Sequence, residues 1–276
     1  MLSVEDIYRE MGKNIYICPI DIANFRDNSI DLTASEFAWT SKGEYIYDSD
    51  TDTITVPPHE TACILTREAI YISGKVGGTY HSRVSLAMQG FGHIGTMLDP
   101  EYCGQSLIML HNTTDTEQKI ADITGSEHGV RIVSVVFYYV DTPIYEKGLA
   151  TPPGHQEKIS KIDKQNRYGV WLNDNKWVNN PKNLKARYKE KYEKKFLERK
   201  KWYAKKKPLH VRIIGSTIGR LIIKYAAILL IGYITYRYIV NHYMPTESSD
   251  WAGIIVAAVV GLAGIIANDL SKSDRR

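Results

Sequence analysis

The runs that decide the fold are "ACILTREAIYI" (62–72), "QSLIMLHN" (105–112) and "RIVSVVFYYV" (131–140). Each is short, apolar and rich in β-branched residues, which is typical of buried β-strands. A fourth run, "YIYDSDTDTITV" (45–56), alternates around an Asp/Thr turn. Because no long amphipathic helix separates these runs, the region is predicted to be mainly β, a barrel or a sandwich, and not a βαβ fold.

A short helix is predicted ahead of the strands. Ser3 is a suitable N-cap, and Asp6 stands three residues later, where a capping box needs a carboxylate. Gly12 is a suitable stop signal, because glycine readily adopts the left-handed conformation that ends many helices.

Charge divides the 276 residues into three parts, although the formal net charge is only +4. Residues 1–155 hold 10 Lys+Arg and 21 Asp+Glu, residues 156–212 hold 19 and 6, and residues 213–276 hold 6 and 4. We expect no nucleic-acid partner, since the compact-looking region is acidic. The three cysteines form no CxxC pair, so we predict neither a disulfide framework nor a protein-held metal.

The last part is predicted to be a two-span transmembrane hairpin. The first span is 218–240, where Lys224 and Arg237 can reach opposite interfaces, and the second is "WAGIIVAAVVGLAGIIA" (251–267). Lys and Arg flank both outer ends and are absent from the loop between the spans. The expected location is therefore the inner or cell membrane, multi-pass, with both termini cytoplasmic. The alternative is a pair of buried helices in a soluble domain.

The middle part is predicted to be a linker over 156–180 and a basic juxtamembrane helix over 181–212. Pro181 suits the first turn, and apolar residues then recur every four positions among Lys and Arg. We favour a helix resting on anionic lipids. A stalk that self-associates along its aromatic stripe and a nucleic-acid-binding helix are the alternatives. The stripe consists of Leu184, Tyr188, Tyr192 and Phe196.

Four motifs in residues 1 to about 150 resemble the dCTP deaminase and dUTPase superfamily. The opening, through "DNSIDLTASEF" (27–37), resembles the start of dCTP deaminases. "SRVSLAMQGF" (82–91), "LDPEYCGQSLIMLHN" (98–112) and "GVRIVSVVFYYV" (129–140) resemble the three motifs that follow in that family. The resemblance implies a dUTPase-like β-barrel over 1–155. It also implies homotrimers, or assemblies of trimers, with sites between subunits.

The residue types in these motifs suit a nucleotide or nucleoside triphosphate. Asp99 can orient a water, Arg83 can hold a phosphate with two hydrogen bonds, and Tyr102 can stack on a sugar or base. Ordinary roles remain open for them: a subunit salt bridge for Arg83 and a core position for Tyr102. Mg²⁺ is expected only on the nucleotide phosphates. The further candidate nucleotide-binding residues are Asp31, Ser85, Arg131 and Lys147.

The chain also departs from the family pattern. The position of the deaminase glutamate is Met109, and the polar positions after the motif arginine are Val84 and Met88. Since methionine cannot transfer protons, deamination of dCTP is not expected. Ser134 stands where the last motif has glutamine.

Three functions are compatible with these features. The first is a membrane-anchored nucleotide-binding protein of the sensor–effector type, built on a degenerate deaminase/dUTPase-like domain. The alternatives are an active membrane-tethered dUTP-type pyrophosphatase that uses Asp99, and a membrane scaffold with an inert barrel.

Overall fold

A computed structural model describes residues 1–93, 95–143 and 153–206, together with Tyr225. The strands are β1 (Ile15–Cys18), β2 (Ile30–Thr40), β3 (Tyr47–Asp48), β4 (Thr53–Val56), β5 (Thr61–Ile72), β6 (Val76–His81), β7 (Phe91–His93), β8 (Met97–Leu98), β9 (Cys103–Asn112), β10 (Gln118–Ala121) and β11 (Arg131–Tyr139). The helices are α1 (Val4–Glu10), α2 (Val84–Met88), α3 (Gln156–Ile162), α4 (Arg167–Asp174) and α5 (Pro181–Lys206), with 3₁₀ turns at Ile22–Asn24 and Pro153–His155.

Eight strands form one curled, half-barrel sheet, which confirms the mainly β prediction. Its order is β7-β9-β5-β2-β11-β6-β8, with β1 paired to β5. A smaller sheet has the order β10-β4-β3, and every ladder is antiparallel. The core fills the inside of the curl.

The outer face of the central strands is buried as well. Phe37, Trp39 and Leu65 form a second apolar cluster there, covered by Ile159 of α3 and Tyr168 of α4. A strand that is covered on both faces has no need for polar residues at alternate positions. This explains why nearly every position of β2 and β5 is buried, including the polar ones.

The first helix is capped as its sequence predicts. Ser3 Oγ accepts a hydrogen bond from the Asp6 amide, and the Asp6 carboxylate accepts one from the Ser3 amide. Gly12 follows with a φ of +76°, and a Cβ there would lie 3.1 Å from the Tyr188 ring. Glycine at this position therefore both ends the helix and leaves room for α5.

Helix α5 lies on the β-domain along its aromatic stripe. Leu184, Tyr188 and Phe196 are each at most 1% exposed. The Phe196 ring centroid is 5.7 Å from that of Tyr8 and 5.6 Å from that of Phe25. The stripe that sequence analysis left available for lipid or for self-association is thus occupied by the chain's own β-domain.

The compact unit extends over Met1–Lys206, past the predicted domain boundary at residue 155. Residues 156–180, predicted as a linker, instead contribute α3 and α4, which cover the sheet. Sequence periodicity missed these helices because they are only seven and eight residues long.

Opposite charge accompanies this docking. Residues 156–206 hold 17 Lys+Arg and 6 Asp+Glu, a net of +11, and residues 1–155 have a net of −11. The Lys185 ammonium lies 4.1 Å from the Tyr71 ring centroid, and the Arg167 guanidinium lies 4.3 Å from that of Tyr45. Lys200 Nζ donates a hydrogen bond to the Met11 carbonyl at 2.5 Å. The basic segment therefore lies against a domain of opposite net charge, and these three side chains contact aromatic rings and a carbonyl in that domain.

In the part of the chain that the structure describes, no helix has the length and apolar character needed to cross a bilayer. The predicted spans, the end of the predicted basic helix at 207–212 and Lys147 all lie outside the described residues, Tyr225 excepted.

The burial of Phe196 leads to a first prediction. Phe196→Ala should lower the free energy of unfolding by about 3 kcal/mol, because it removes a fully buried ring and leaves a cavity. Leu197→Ala is the matched control, since Leu197 is 48% exposed on the same helix. Denaturant unfolding followed by tryptophan fluorescence measures both variants. Equal stability of the two would contradict the docking of α5.

Candidate functional site

A buried carboxylate, Asp31, is the centre of the site. It lies on β2 and is 1% exposed. Ser134 Oγ donates a hydrogen bond to it at 2.6 Å, and the nearest nitrogens of Arg83 and Arg26 lie at 2.5 and 2.7 Å. Arg131 Nε is 3.9 Å away. We call Arg26, Arg83 and Arg131 around Asp31 the arginine cluster.

Strand register brings these residues together. Asp31 on β2 pairs with Ser134 on β11, and Ser134 pairs with His81 on β6. Arg83 follows His81 by two residues and is the N-cap residue of α2. The arginine cluster therefore depends on three adjacent strands that are far apart in the sequence.

Arg26 is a member that the sequence analysis missed. It flanks a tight turn whose other side is Asp31, with the Arg26 amide bonded to the Ser29 carbonyl at 2.9 Å. An arginine and an aspartate on either side of "DNS" are the signal that could have indicated it.

The arginine cluster keeps Asp31 ionised. Burial by itself raises the pKa of this carboxyl, but hydrogen bonds from Ser134, Arg26 and Arg83 outweigh burial and hold the pKa below its usual range. Three guanidinium groups then surround one negative charge. The side chains of Arg26 and Arg131 remain 44% and 28% exposed, so the positive excess faces solvent.

Arg83 has unused hydrogen-bonding capacity. Its side chain is 20% exposed, and within the described ranges its Nε is buried without a partner. Guanidinium groups bind phosphate oxygens through paired N–H donors. The site can therefore take an anionic group, and a phosphate suits it chemically.

Asp99 lies elsewhere on the same sheet. It is exposed after β8, whose Leu98 pairs with Gly78 on β6. That register places Asp99 beside Gly77, four residues from His81 along β6, a separation of about 13 Å. Within one chain, the backbone of Asp99 is therefore offset from the arginine cluster along β6, although the Asp99 charge acts on Tyr80, the neighbour of His81.

Tyr102 is buried, at 4% exposure. Its hydroxyl donates a hydrogen bond to the Gln105 carbonyl at 2.5 Å, and its ring centroid is 5.5 Å from that of His155. Burial raises the pKa of this phenol well above its usual value. The structure thus shows Tyr102 in the core role, and stacking on a nucleotide stays a prediction.

His155 is a second residue that sequence reasoning missed. It is half-buried against Tyr102, and its partial burial lowers the pKa of its imidazole, assisted by Lys158 and opposed by the Asp99 carboxylate. The imidazole is therefore held largely neutral near Asp99. No sequence signal marked it, because a single histidine after Gly154 has no motif.

The remaining candidates lie on the surface beside Arg83. Ser85 is exposed on α2, and its neighbours Val84 and Met88 are 76% and 84% exposed. Met109 is half-buried on β9, where it pairs with Cys63. Two of the apolar residues that replace polar family residues, Val84 and Met88, are therefore exposed to solvent. The third, Met109, lies half-buried on the sheet. Among the described residues, no group of three or more His, Cys, Asp or Glu could hold a metal ion.

Comparison with known proteins supports the resemblance. The chain is 28% identical to the dCTP deaminase of Pyrococcus horikoshii over 134 residues, which are 49% of this chain and 81% of that protein. It is 27% identical to the dCTP deaminase of Thermococcus gammatolerans over the same shares. The N-terminal half of this chain is a dCTP deaminase/dUTPase-like domain. No protein-family model matches the chain.

Two solved structures are also similar to part of this chain. The dCTP deaminase of Agrobacterium tumefaciens has 10% identity and a TM-score of 0.39, covering 49% of this chain and 46% of that one. The EIAV dUTPase has 17% identity and a TM-score of 0.34, covering 49% and 99%.

The arginine cluster gives a second prediction. Asp31→Asn should cost about 3 kcal/mol of stability near neutral pH, because it removes the buried charge that compensates three clustered guanidinium groups. A carboxyl whose pKa is lowered by folding stabilises the protein above its unfolded-state pKa and loses that effect as pH falls through its folded-state pKa. The difference between wild type and variant should therefore shrink below about pH 4.

Denaturant unfolding across pH 2.5–7 measures this difference. Asp50→Asn, at an exposed position beyond β3, is the control and should leave stability unchanged. A pH-independent deficit in Asp31→Asn would contradict the assignment of an ionised Asp31.

Proposed function

We propose that this chain is a membrane-anchored nucleotide-binding protein that binds the phosphates of a nucleotide at the arginine cluster. The observation that supports the proposal is the convergence of Arg26, Arg83 and Arg131 on the buried carboxylate of Asp31. Arg83, Arg131 and Asp31 belong to three motifs that resemble those of dCTP deaminases and dUTPases. The three motifs lie in different segments of the chain.

The electrostatics favour a polyphosphate ligand. Asp31 neutralises one guanidinium charge, which leaves roughly two positive charges for an incoming anion. Asp31 also fixes the orientation of Arg83 and Arg26, so less side-chain entropy is lost on binding. Mg²⁺ would arrive with the nucleotide phosphates; a mutant dUTPase from a phage of S. aureus, one of the similar structures, is described as coordinating a structural Mg(II) ion.

Two chains are needed to complete a nucleotide site in this proposal. The backbone of Asp99 is offset by about 13 Å along β6 from that of His81, so one chain presents Asp99 and the arginine cluster as two separate surfaces. A homotrimer would place Asp99 of one subunit near the arginine cluster of another. The exposed apolar side chains of Val84, Met88 and Met97 beside the site are suitable contacts for that second chain.

Pyrophosphatase activity is the second candidate, and one observation favours it. Asp99 is an exposed carboxylate, and a group that positions an attacking water must be accessible to water. The negative charge of Asp99 also acts on the imidazole of His155, whose pKa it raises against the effect of burial. Deamination is disfavoured because Met109 carries no titratable group at the family's glutamate position.

The membrane part of the proposal is supported by residues 213–276 of the sequence, with their two apolar segments and flanking basic residues. In this proposal α5 holds the nucleotide-binding domain next to the cytoplasmic surface of the membrane. The outer side of α5, rich in lysine, would then face anionic lipids.

A nucleotide panel is the direct test of binding and catalysis. The full chain in detergent should bind dUTP or dCTP in the presence of Mg²⁺, and Arg83→Gln should weaken binding at least tenfold, because it removes a charge-assisted contact to phosphate. Arg9→Gln is the control, since Arg9 pairs with Asp6 on the outer side of α1. Calorimetry measures affinity, and chromatography of the same samples detects products.

The products distinguish the two candidates. No product, with binding that depends on Arg83, supports the sensor. Release of pyrophosphate that Asp99→Asn abolishes supports the pyrophosphatase. Equal affinity of wild type and Arg83→Gln would overturn the phosphate site in both.

Membrane topology is tested by cysteine labelling in cells. A cysteine replacing Ser248, between the predicted spans, should react with an impermeant thiol reagent, whereas one replacing Ser273 should react only after permeabilisation. The native cysteines are buried and serve as the unlabelled background. Labelling of both positions from outside, or of neither, would contradict the hairpin.

A further inference from the structure

A cavity of about 230 Å³ lies where α5 crosses the β-domain, away from Asp99. Its floor includes Thr33 and Glu68 from β2 and β5, and Asn24 from a 3₁₀ turn. All three floor residues are at most 5% exposed. Arg67 and Lys195 form part of the rim, from β5 and α5.

Glu68 is an unusual residue at the floor of a cavity because glutamate is rarely buried. Thr33 donates to both of its oxygens, from the amide at 2.9 Å and from Oγ1 at 2.7 Å. No cation is paired with it among the ion pairs of the described residues. A carboxyl that is buried in this way tends to hold a proton, and a protonated carboxyl can donate a hydrogen bond into the cavity.

The rim carries more charged groups than the floor. Arg67 and Lys195 are exposed and appear in no ion pair of the described part of the chain. Asp21 is engaged with His128, whose Nδ1 lies 2.6 Å from the Asp21 carboxylate. Glu127 is exposed at the rim. Arg67 and Lys195 thus lie at the mouth of the cavity, and the carboxyl group of Glu68 lies at its floor.

We propose that this cavity binds a small oxyanion of the phosphate class, held between Arg67 and Lys195, with the Glu68 carboxyl donating a hydrogen bond from the floor. The size suits inorganic phosphate or the phosphate of a small monoester with a few waters. The site is separate from the arginine cluster and does not depend on the proposed nucleotide function.

Binding at this site should be coupled to proton uptake. Burial raises the pKa of Glu68 to about 7, against hydrogen bonds from Thr33 that lower it. An anion beside the carboxyl would raise that pKa further, so affinity should increase as pH falls from 8 to 6. The other charged groups that face Glu68 are Arg67, Lys195, Glu127 and the Asp21–His128 pair, with Asp31 two residues from Thr33 on β2.

The site has a route to the arginine cluster. Asn24 Oδ1 accepts a hydrogen bond from Arg131 Nε at 2.6 Å, and the Asn24 Nδ2 group donates to the His128 carbonyl at 3.2 Å. Displacement of Asn24 by a bound anion would therefore alter the position of Arg131. Lys195 belongs to α5, so the same anion would also bridge the β-domain and the helix.

Calorimetric titration of the full chain in detergent with sulfate and with inorganic phosphate tests the proposal. Sulfate does not titrate between pH 6 and 8, so any pH dependence of its affinity belongs to the protein. We expect Arg67→Gln and Lys195→Gln each to weaken binding about tenfold. Lys194→Gln, at the neighbouring exposed position of α5, is the matched control and should bind as wild type.

Glu68→Gln distinguishes the contribution of the floor residue Glu68 from that of the rim residues Arg67 and Lys195. It keeps a hydrogen-bond donor in the cavity, so it should bind sulfate at pH 8 at least as tightly as wild type and lose the pH dependence. A pH dependence that persists unchanged in Glu68→Gln would overturn the role of Glu68 and assign the proton to His128.

Arg83→Gln distinguishes this site from the nucleotide site. Sulfate binding that is lost in Arg83→Gln and retained in Arg67→Gln and Lys195→Gln would place the anion at the arginine cluster and overturn the proposal. Normal sulfate binding together with lost nucleotide binding in Arg83→Gln would show two independent sites.

Discussion

The buried charge of Asp31 is the interaction on which the candidate site depends. A carboxylate that is 1% exposed must be compensated within the protein, and here a hydroxyl and guanidinium groups from three segments provide the compensation. This requirement ties the turn before β2 to β11 and to the start of α2. Asp31 is thus a positioning residue: it orients arginines whose remaining donors face solvent. The same network explains why Ser134 is acceptable where the family motif has glutamine, since its hydroxyl reaches Asp31 at 2.6 Å.

A second constraint concerns the basic middle of the chain. A helix with aromatic residues at every fourth position and lysine elsewhere is compatible with lipid, with self-association and with a protein surface. The acidic β-domain offers the apolar groove, formed with Tyr8 and Phe25, and the opposite net charge. The contacts that join the two parts are cation–π pairs and hydrogen bonds to carbonyls, which need no buried carboxylate and so avoid the desolvation cost of an ion pair. Helix α5 is thereby part of the same compact unit as the β-domain, and it contributes Lys195 to the cavity.

The two parts of the proposed nucleotide site are offset along one strand. In a single chain β6 separates Asp99 from the arginine cluster, and Tyr102 is covered by His155 of the same chain. A second subunit, or a movement of the segment that carries His155, would be required before one ligand could contact Asp99, Tyr102 and the arginines together. The positions that differ from the family pattern also favour contact with a second chain. Val84 and Met88 place exposed apolar side chains beside Arg83, where the family has polar ones, and an apolar surface suits another protein chain better than a triphosphate.

The sequence by itself determined the mainly β fold, the capped first helix and the helix that begins at Pro181, because these depend on local periodicity and on capping residues within a few positions of each other. It also identified Asp31, Arg83 and Arg131 through their motifs. Only the tertiary structure decided that these three meet, that Arg26 joins them and that Tyr102 is buried, because cross-strand register brings together residues about 100 positions apart. It also decided that residues 156–206 cover the barrel. An amphipathic stripe indicates that a helix face will be buried, and only the arrangement of the other elements determines the surface that buries it.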